Sequence, residues 1–256
     1  MMFWRTGSME GISVTNKHCL IKQRAGLGDI ILGQKIADFF IAEGYSVFWP
    51  VIDEYYDAIT TSMKKEGITY CRERDEFPLK ELYNSPNNTP IIIKETEDLY
   101  IPIQMADQHF PGESALRSKF KILGLTADGW QDHFLLHRDN KKEELLFSTE
   151  LGLSMKEEYV LVNYLYGSPP TTVRKDIPLD SDLRIVEITM KEGYSMFDWS
   201  KVIENASEIY CVDTSLFYLI DILNLKATKL EAYSKFEPAN YMHTDGLFKA
   251  SWNYNE

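Results

Sequence analysis

Apolar residues recur along this chain of 256 residues in two alternating rhythms. Short unbroken runs suit buried strands, and longer stretches return an apolar side chain every three or four positions, as one face of a helix does. "HCLIKQ" (His18 to Gln23) reads as a strand, followed by the turn "RAGLG". "DIILGQKIADFFIAEG" then carries apolar residues at Ile30, Ile31, Ile36, Ala37, Phe40 and Ile41, a helix closed by Gly44 just past its end. Tyr45 to Val51 is a second strand, so the first three elements make a parallel strand–helix–strand unit. A helix over Asp53 to Gly67 and a strand over Ile68 to Cys71 repeat it. "NSPNNTP" (Asn84 to Pro90) is turn chemistry, "IIIK" and "LYIPI" are further strands, and Ser114 to Leu125 has helical spacing.

The polar segment His137 to Glu158 predicts a linker and one helix, after which the alternation restarts. Tyr159 to Pro170 reads as a buried strand that meets a Gly-, Ser- and Pro-rich loop, and further strands are predicted over Leu183 to Thr189, Glu208 to Asp213 and Ala227 to Ser234. Helices are predicted over Met196 to Ser207 and from Thr214 to Leu225. The order predicts an α/β protein of two Rossmann-like parallel-sheet domains facing a cleft. The expected organisation is a leader at 1–15, a first domain at 16–138, a linker and helix at 139–158, and a second domain at 159–256. The aromatic-rich end "YMHTDGLFKASWNYNE" is expected to pack back across the first domain.

Composition narrows the partners. With 44% apolar and 13% aromatic residues, substantial cores are affordable. A net charge of −12 disfavours a surface that tracks phosphates, so nucleic acid is not an expected partner. A small anionic ligand remains compatible, because one helix N-terminus and a few cations hold a phosphate inside an acidic protein. Cys19, Cys71 and Cys211 lie in strand-like runs without any CxxC pair, which predicts buried thiols and no metal or disulfide framework. No stretch approaches the ~20 apolar residues of a membrane span. "MMFWRTGSMEG" lacks the apolar core of a secretory signal, so a cytoplasmic location is expected.

Two turns are candidates for chemistry. Asp29 falls where a strand gives way to a helix, flanked by Gly26, Leu27 and Gly28; small residues let a ligand approach the backbone and tolerate positive φ. The bland alternative is a carboxylate stabilising the first helical turn. The glycines fit neither GxGxxG nor GxxxxGK[ST]. The second turn is Asp213, Thr214 and Ser215, where a strand ends at a helix mouth able to bind an anion; here too the alternative is ordinary capping. His133 and His137, with Trp130 nearby, have helical spacing but no third ligand for a metal.

The early "GLGDIIL" and the late "DWSKVIENASEIYCVDTSLFYLIDIL" together resemble the glycosyltransferases of the ADP-heptose:lipopolysaccharide heptosyltransferase type, glycosyltransferase family 9. Leu27, Gly28 and Asp29 match the family's LGD motif, and Ala206, Asp213 and Thr214 match its late helix–strand–turn pattern. "KILGL" and "VRKDIPL" are weaker echoes. The resemblance implies a GT-B fold and an inverting, metal-independent transfer from a nucleotide-sugar to a saccharide hydroxyl, with no separate cofactor. It implies Asp29 as general base and Asp213, Thr214 and Ser215 as donor-binding residues. Gly26, Leu27 and Gly28 would form the acceptor and phosphate turn, and Arg174 and Lys175 would supply charge for the diphosphate. The chain departs from the pattern at Ser215, where the family has glycine, and at Tyr218, where it has histidine. The second half is also short, lacking a strand and helix of the family pattern between "LRIVEIT" and "MFDW". These departures leave open a non-catalytic binding protein of the same architecture, or another sugar-nucleotide enzyme such as an epimerase or hydrolase.

Overall fold

The computed structural model describes residues 17–111, 113–167, 171–240 and 246–255. The expected leader at 1–15, residues 168–170 and part of the C-terminal segment lie outside the described residues.

The first half runs β1 (Lys17–Lys22), α1 (Leu27–Ala42), β2 (Tyr45–Val51), α2 (Asp53–Ser62), β3 (Ile68–Arg72), α3 (Lys80–Asn84), β4 (Ile91–Ile92), β5 (Leu99–Pro102) and α4 (Ala115–Lys121), with a 3-10 turn at Trp130–His133. Its sheet has the order β3-β2-β1-β5-β4; all neighbours are parallel except β4, which runs antiparallel to β5. Side chains alternate across it as a pleated sheet requires. Cys19 and Ile21 face the core beneath α1, whereas Leu20 faces the opposite side with Tyr100, Phe77 and Tyr83.

Several helices are shorter than their periodicity suggests. α2 stops at Ser62, where Met63 closes it through its N–H to the Ile59 carbonyl (2.8 Å), and the charged Lys64–Glu66 stretch takes no part. α4 stops at Lys121 because the chain reverses at Gly124, with φ +69. "IIIK" contributes only a two-residue strand.

The second half runs α5 (Asn140–Glu144), a wider π-type turn (Leu145–Glu150), β6 (Tyr159–Asn163), the β7 (Leu165–Tyr166) and β8 (Val173–Arg174) hairpin, β9 (Arg184–Glu187), α6 (Ser200–Asn205), β10 (Glu208–Val212), α7 (Leu216–Ile222), β11 (Lys229–Tyr233) and β12 (Asn253–Asn255). The five-stranded sheet has the order β12-β11-β10-β6-β9 and is parallel throughout. Among the described residues, the crossover from β6 to β9 carries no helix. Instead Ile177, Leu179 and Leu183 cover the face formed by Val160, Val162, Tyr210 and Val212. Between β9 and α6 the chain makes only a 3-10 turn at Met196–Trp199, and β9 is left as the sheet edge. β12, supplied by the tail, is an element the sequence pattern did not indicate.

One hydrophobic core runs through both halves, from Ile30, Trp49 and Trp130 to Val202, Phe217 and Trp252. The Trp130 indole donates to the Leu247 carbonyl (2.8 Å), and its ring meets Tyr218 edge-on at 5.3 Å. All three cysteines are buried and free. No helix among the described residues is long and apolar enough to cross a membrane. In each sheet the chain order reverses beside a central strand, between β1 and β5 and between β6 and β10, the positions where open α/β sheets bind ligands at their strands' carboxyl ends.

Candidate active site

The turn after β1 is shaped around one carboxylate. Gly26 caps α1 with φ +81, a left-handed conformation that favours glycine. A Cβ at this position would overlap Asp29 Oδ2, so the missing side chain makes room for the carboxylate as well as for the turn. Asp29 lies in the first turn of α1, about a quarter exposed, with Oδ1 3.4 Å from Lys119 Nζ.

Lys119 is buried, and its ammonium also donates to Gln23 Oε1 (2.7 Å) and to the Ile103 carbonyl (3.1 Å). Gln23 is itself tied down, its carbonyl accepting from the Trp49 indole (2.9 Å) and its amide donating to the Ala25 carbonyl (2.5 Å). A buried ammonium needs this full set of acceptors, since an unpaired charge in the interior is costly. Sequence reasoning missed Lys119. Its signal was available: three positions after Leu116 and next to Phe120, it falls on the apolar face of α4.

Gly28 serves a different purpose from the one its motif suggests. A Cβ there would lie 2.6 Å from Tyr218 Cε2 and 3.3 Å from Ser215 Cα, so the second half, rather than a ligand, makes the close approach to the backbone. Burial, reinforced by the carboxylates of Asp29 and Asp213, pushes the Tyr218 phenol well up. It stays protonated at neutral pH.

The turn after β10 is also ordered from within. Asn163 at the end of β6 donates to Thr214 Oγ1 (3.3 Å), and that oxygen accepts from the Leu216 N–H (3.3 Å), a side-chain turn bond just ahead of the helix. The helix itself spans Leu216–Ile222, with Ser215 as its N-cap, rather than opening directly after Asp213. Ser215 Oγ contacts Met196 Sδ at 3.3 Å.

Two cavities lie between the halves and share Leu27, Tyr55, Tyr166, Thr214 and Ser215 in their walls. The larger, about 510 Å³, is lined by Gly26, Gly28 and Asp29 on one side and by Asp213, Thr214, Ser215 and Tyr218 on the other. The smaller, about 400 Å³, is lined by Ile188, Tyr194, Met196 and Trp199, together with Glu54 and Tyr55 from α2. Asp29 and the Asp213–Ser215 turn therefore share one hollow.

Arg174 and Lys175 line neither cavity. Arg174 pairs with Glu187 and stacks over the Tyr164 ring at 4.0 Å, and Lys175 pairs with Glu237. His133 and His137 are also separate: His133 bonds Asp38 (2.8 Å), and His137 bonds the Lys64 carbonyl (2.6 Å) from an extended segment. Among the described residues no three His, Cys, Asp or Glu side chains come together as a metal site.

No family model and no curated relative matches this chain. Several solved structures are similar to it. One is a family 9 glycosyl transferase from Veillonella parvula DSM 2008, with 8% identity over 93% of this chain and 86% of that one, at a TM-score of 0.51. Another is the iron-containing dodecameric glycosyltransferase TibC from enterotoxigenic E. coli H10407, with 10% identity over 86% of this chain and 59% of that one, at a TM-score of 0.50. At such identities the likeness establishes the fold: two Rossmann-like halves of the GT-B type.

Proposed function

We propose that this protein is a glycosyltransferase that moves a sugar from a nucleotide-sugar donor to an acceptor hydroxyl, inverting at the anomeric carbon and using Asp29 as general base. The observation that carries the reading is the single cavity lined by Asp29 from one half and by Asp213, Thr214 and Ser215 from the other. The Veillonella parvula and TibC structures are both of glycosyltransferases, which supports it. The smaller cavity suits the nucleotide: Tyr194, Met196 and Ile188 offer apolar surface to a base. Thr214 and Ser215, common to both cavities, face the diphosphate, and the acceptor occupies the side of Gly26, Leu27, Gly28 and Asp29. Asp29 takes the proton of the acceptor hydroxyl as the new carbon–oxygen bond forms. The bond to the diphosphate breaks, with its electron pair leaving on the phosphate oxygen. No resident metal or cofactor enters this scheme. Nucleotide-sugar use and three reduced thiols fit a cytoplasmic setting.

Asp29→Asn is the test to make, because an amide keeps an oxygen facing the Lys119 ammonium, whereas alanine would leave that ammonium only Gln23 and the Ile103 carbonyl. A screen of nucleotide-sugars by thermal shift identifies the donor; a ligand at 100 times its Kd adds ~2.7 kcal/mol to stability. With that donor, Asp29→Asn should bind as wild type and transfer at least ~100-fold more slowly. Undiminished turnover overturns the base assignment.

The packing of Tyr218 against Gly28, inside the larger cavity, favours one second reading, a binding protein without transferase activity. Nucleotide binding without transfer or hydrolysis would select it.

A further inference from the structure

A departing diphosphate needs positive charge, and the cleft offers little of it. Every lysine and arginine except Arg5 lies among the described residues. Two of them line the cavities, Lys191 and Lys235. Lys191 is committed to Glu150 at 2.8 Å. Lys119 is committed beneath Asp29, Lys121 to Glu113 at 2.6 Å, and Arg174 and Lys175 to glutamates outside the cleft. Lys235 has no carboxylate partner among the described residues. Yet Asp29, Glu113 and Asp213 all line its cavity, so the wall is otherwise anionic.

Topology brings Lys235 to the right place. β11 lies beside β10 in parallel register, Val212 opposite Tyr233, and the Asp213 N–H donates to the Tyr233 carbonyl (2.9 Å). Lys235 thus leaves its strand alongside the Asp213–Ser215 turn. The loop that carries it is anchored by Ser234, whose buried hydroxyl accepts from the N–H groups of Phe236 and Asn240, both at 3.0 Å. Lys235 itself is only partly buried, so its ammonium can move on a flexible stem to a ligand in the cavity.

We infer that Lys235 is the cation that binds the donor's diphosphate and neutralises the charge it gains as the glycosidic bond breaks. This rests on the nucleotide-sugar reading above and replaces Arg174 and Lys175 in that role. The lysine acts through its charge alone and forms no covalent bond.

The test is calorimetric titration of the full-length protein with ADP, UDP, GDP and CDP and with the matching monophosphates. Wild type is compared with Lys235→Met, Lys235→Arg and the double variant Arg174→Met/Lys175→Met. For the diphosphate that binds, Lys235→Met should lose about tenfold in affinity, the worth of a charge-assisted contact, and should no longer prefer diphosphate over monophosphate. Lys235→Arg should retain that preference. A merely structural lysine would weaken both nucleotides alike, and that result overturns the proposal, as does equal diphosphate affinity in Lys235→Met. Loss in the Arg174/Lys175 double variant alone overturns it in favour of those positions. Failure of wild type to bind any of the nucleotides overturns the nucleotide-sugar reading and this assignment with it.

Discussion

At the scale of single residues, Gly28 decides how closely the two halves meet. Adding one methyl group there drives it into the Tyr218 ring and onto the Ser215 backbone, neither of which is the free end of a flexible chain. Gly28→Ala should therefore destabilise the protein by about 1–3 kcal/mol through overpacking, despite alanine's better helix propensity. In a Tyr218→Ala background the same substitution should be close to neutral. Urea unfolding of the four proteins of this cycle gives the coupling, and equal costs in both backgrounds would show that the contact carries no strain. Residues of this kind were half legible in the sequence. The turn at Gly26–Asp29 declared itself through its composition, but the partners of its members did not. Lys119 is 90 positions from Asp29 in number, and Tyr218 almost 200 from Gly28; only the fold reveals that each pair touches.

At the scale of elements, the strands and crossover helices followed from periodicity because buried parallel strands are nearly continuous apolar runs. β12 did not, since "NYN" has no apolar run and its strand geometry comes from what it pairs with. Its register against β11 is held by Asn253 and Asn255, whose amides both donate to Glu231 Oε2 (2.8 and 2.7 Å). Trp252, just before it, stacks on Phe217 with ring centroids 4.1 Å apart and planes within 6°. This stack ties the tail to α7, the helix that follows the Asp213–Ser215 turn. Trp252→Ala should cost about 3–5 kcal/mol, the usual range for emptying a buried aromatic site. It should also increase hydrogen exchange in both β12 and α7. Exchange that rises in β12 alone would mean that the tail is an appendage and does not brace the helix.

At the scale of the whole molecule, alternating strands and helices led to two sheets with a cleft between them, but periodicity reports that a face is buried and not what buries it. The consequence appears in the core. A single continuous cluster passes from the first sheet through α1, Trp130 and Tyr218 into α7 and the second sheet. Leu247 and Phe248 of the tail close over Trp130, the first through its carbonyl and the second with its ring 6.3 Å away, edge-on. Two domains joined only by a linker would expose little apolar surface on separation and would melt as two units. Here, parting the halves would uncover Trp130, Tyr218, Phe217 and Phe248 together, which makes a state with one half folded unfavourable. Scanning calorimetry should accordingly show one transition, with calorimetric and van't Hoff enthalpies in agreement. Gly28→Ala should shift that transition downward without splitting it. Two resolved transitions in the wild-type protein would mean that the shared core is too weak to couple the halves, and the width of the cleft would then be set by ligand and not by packing.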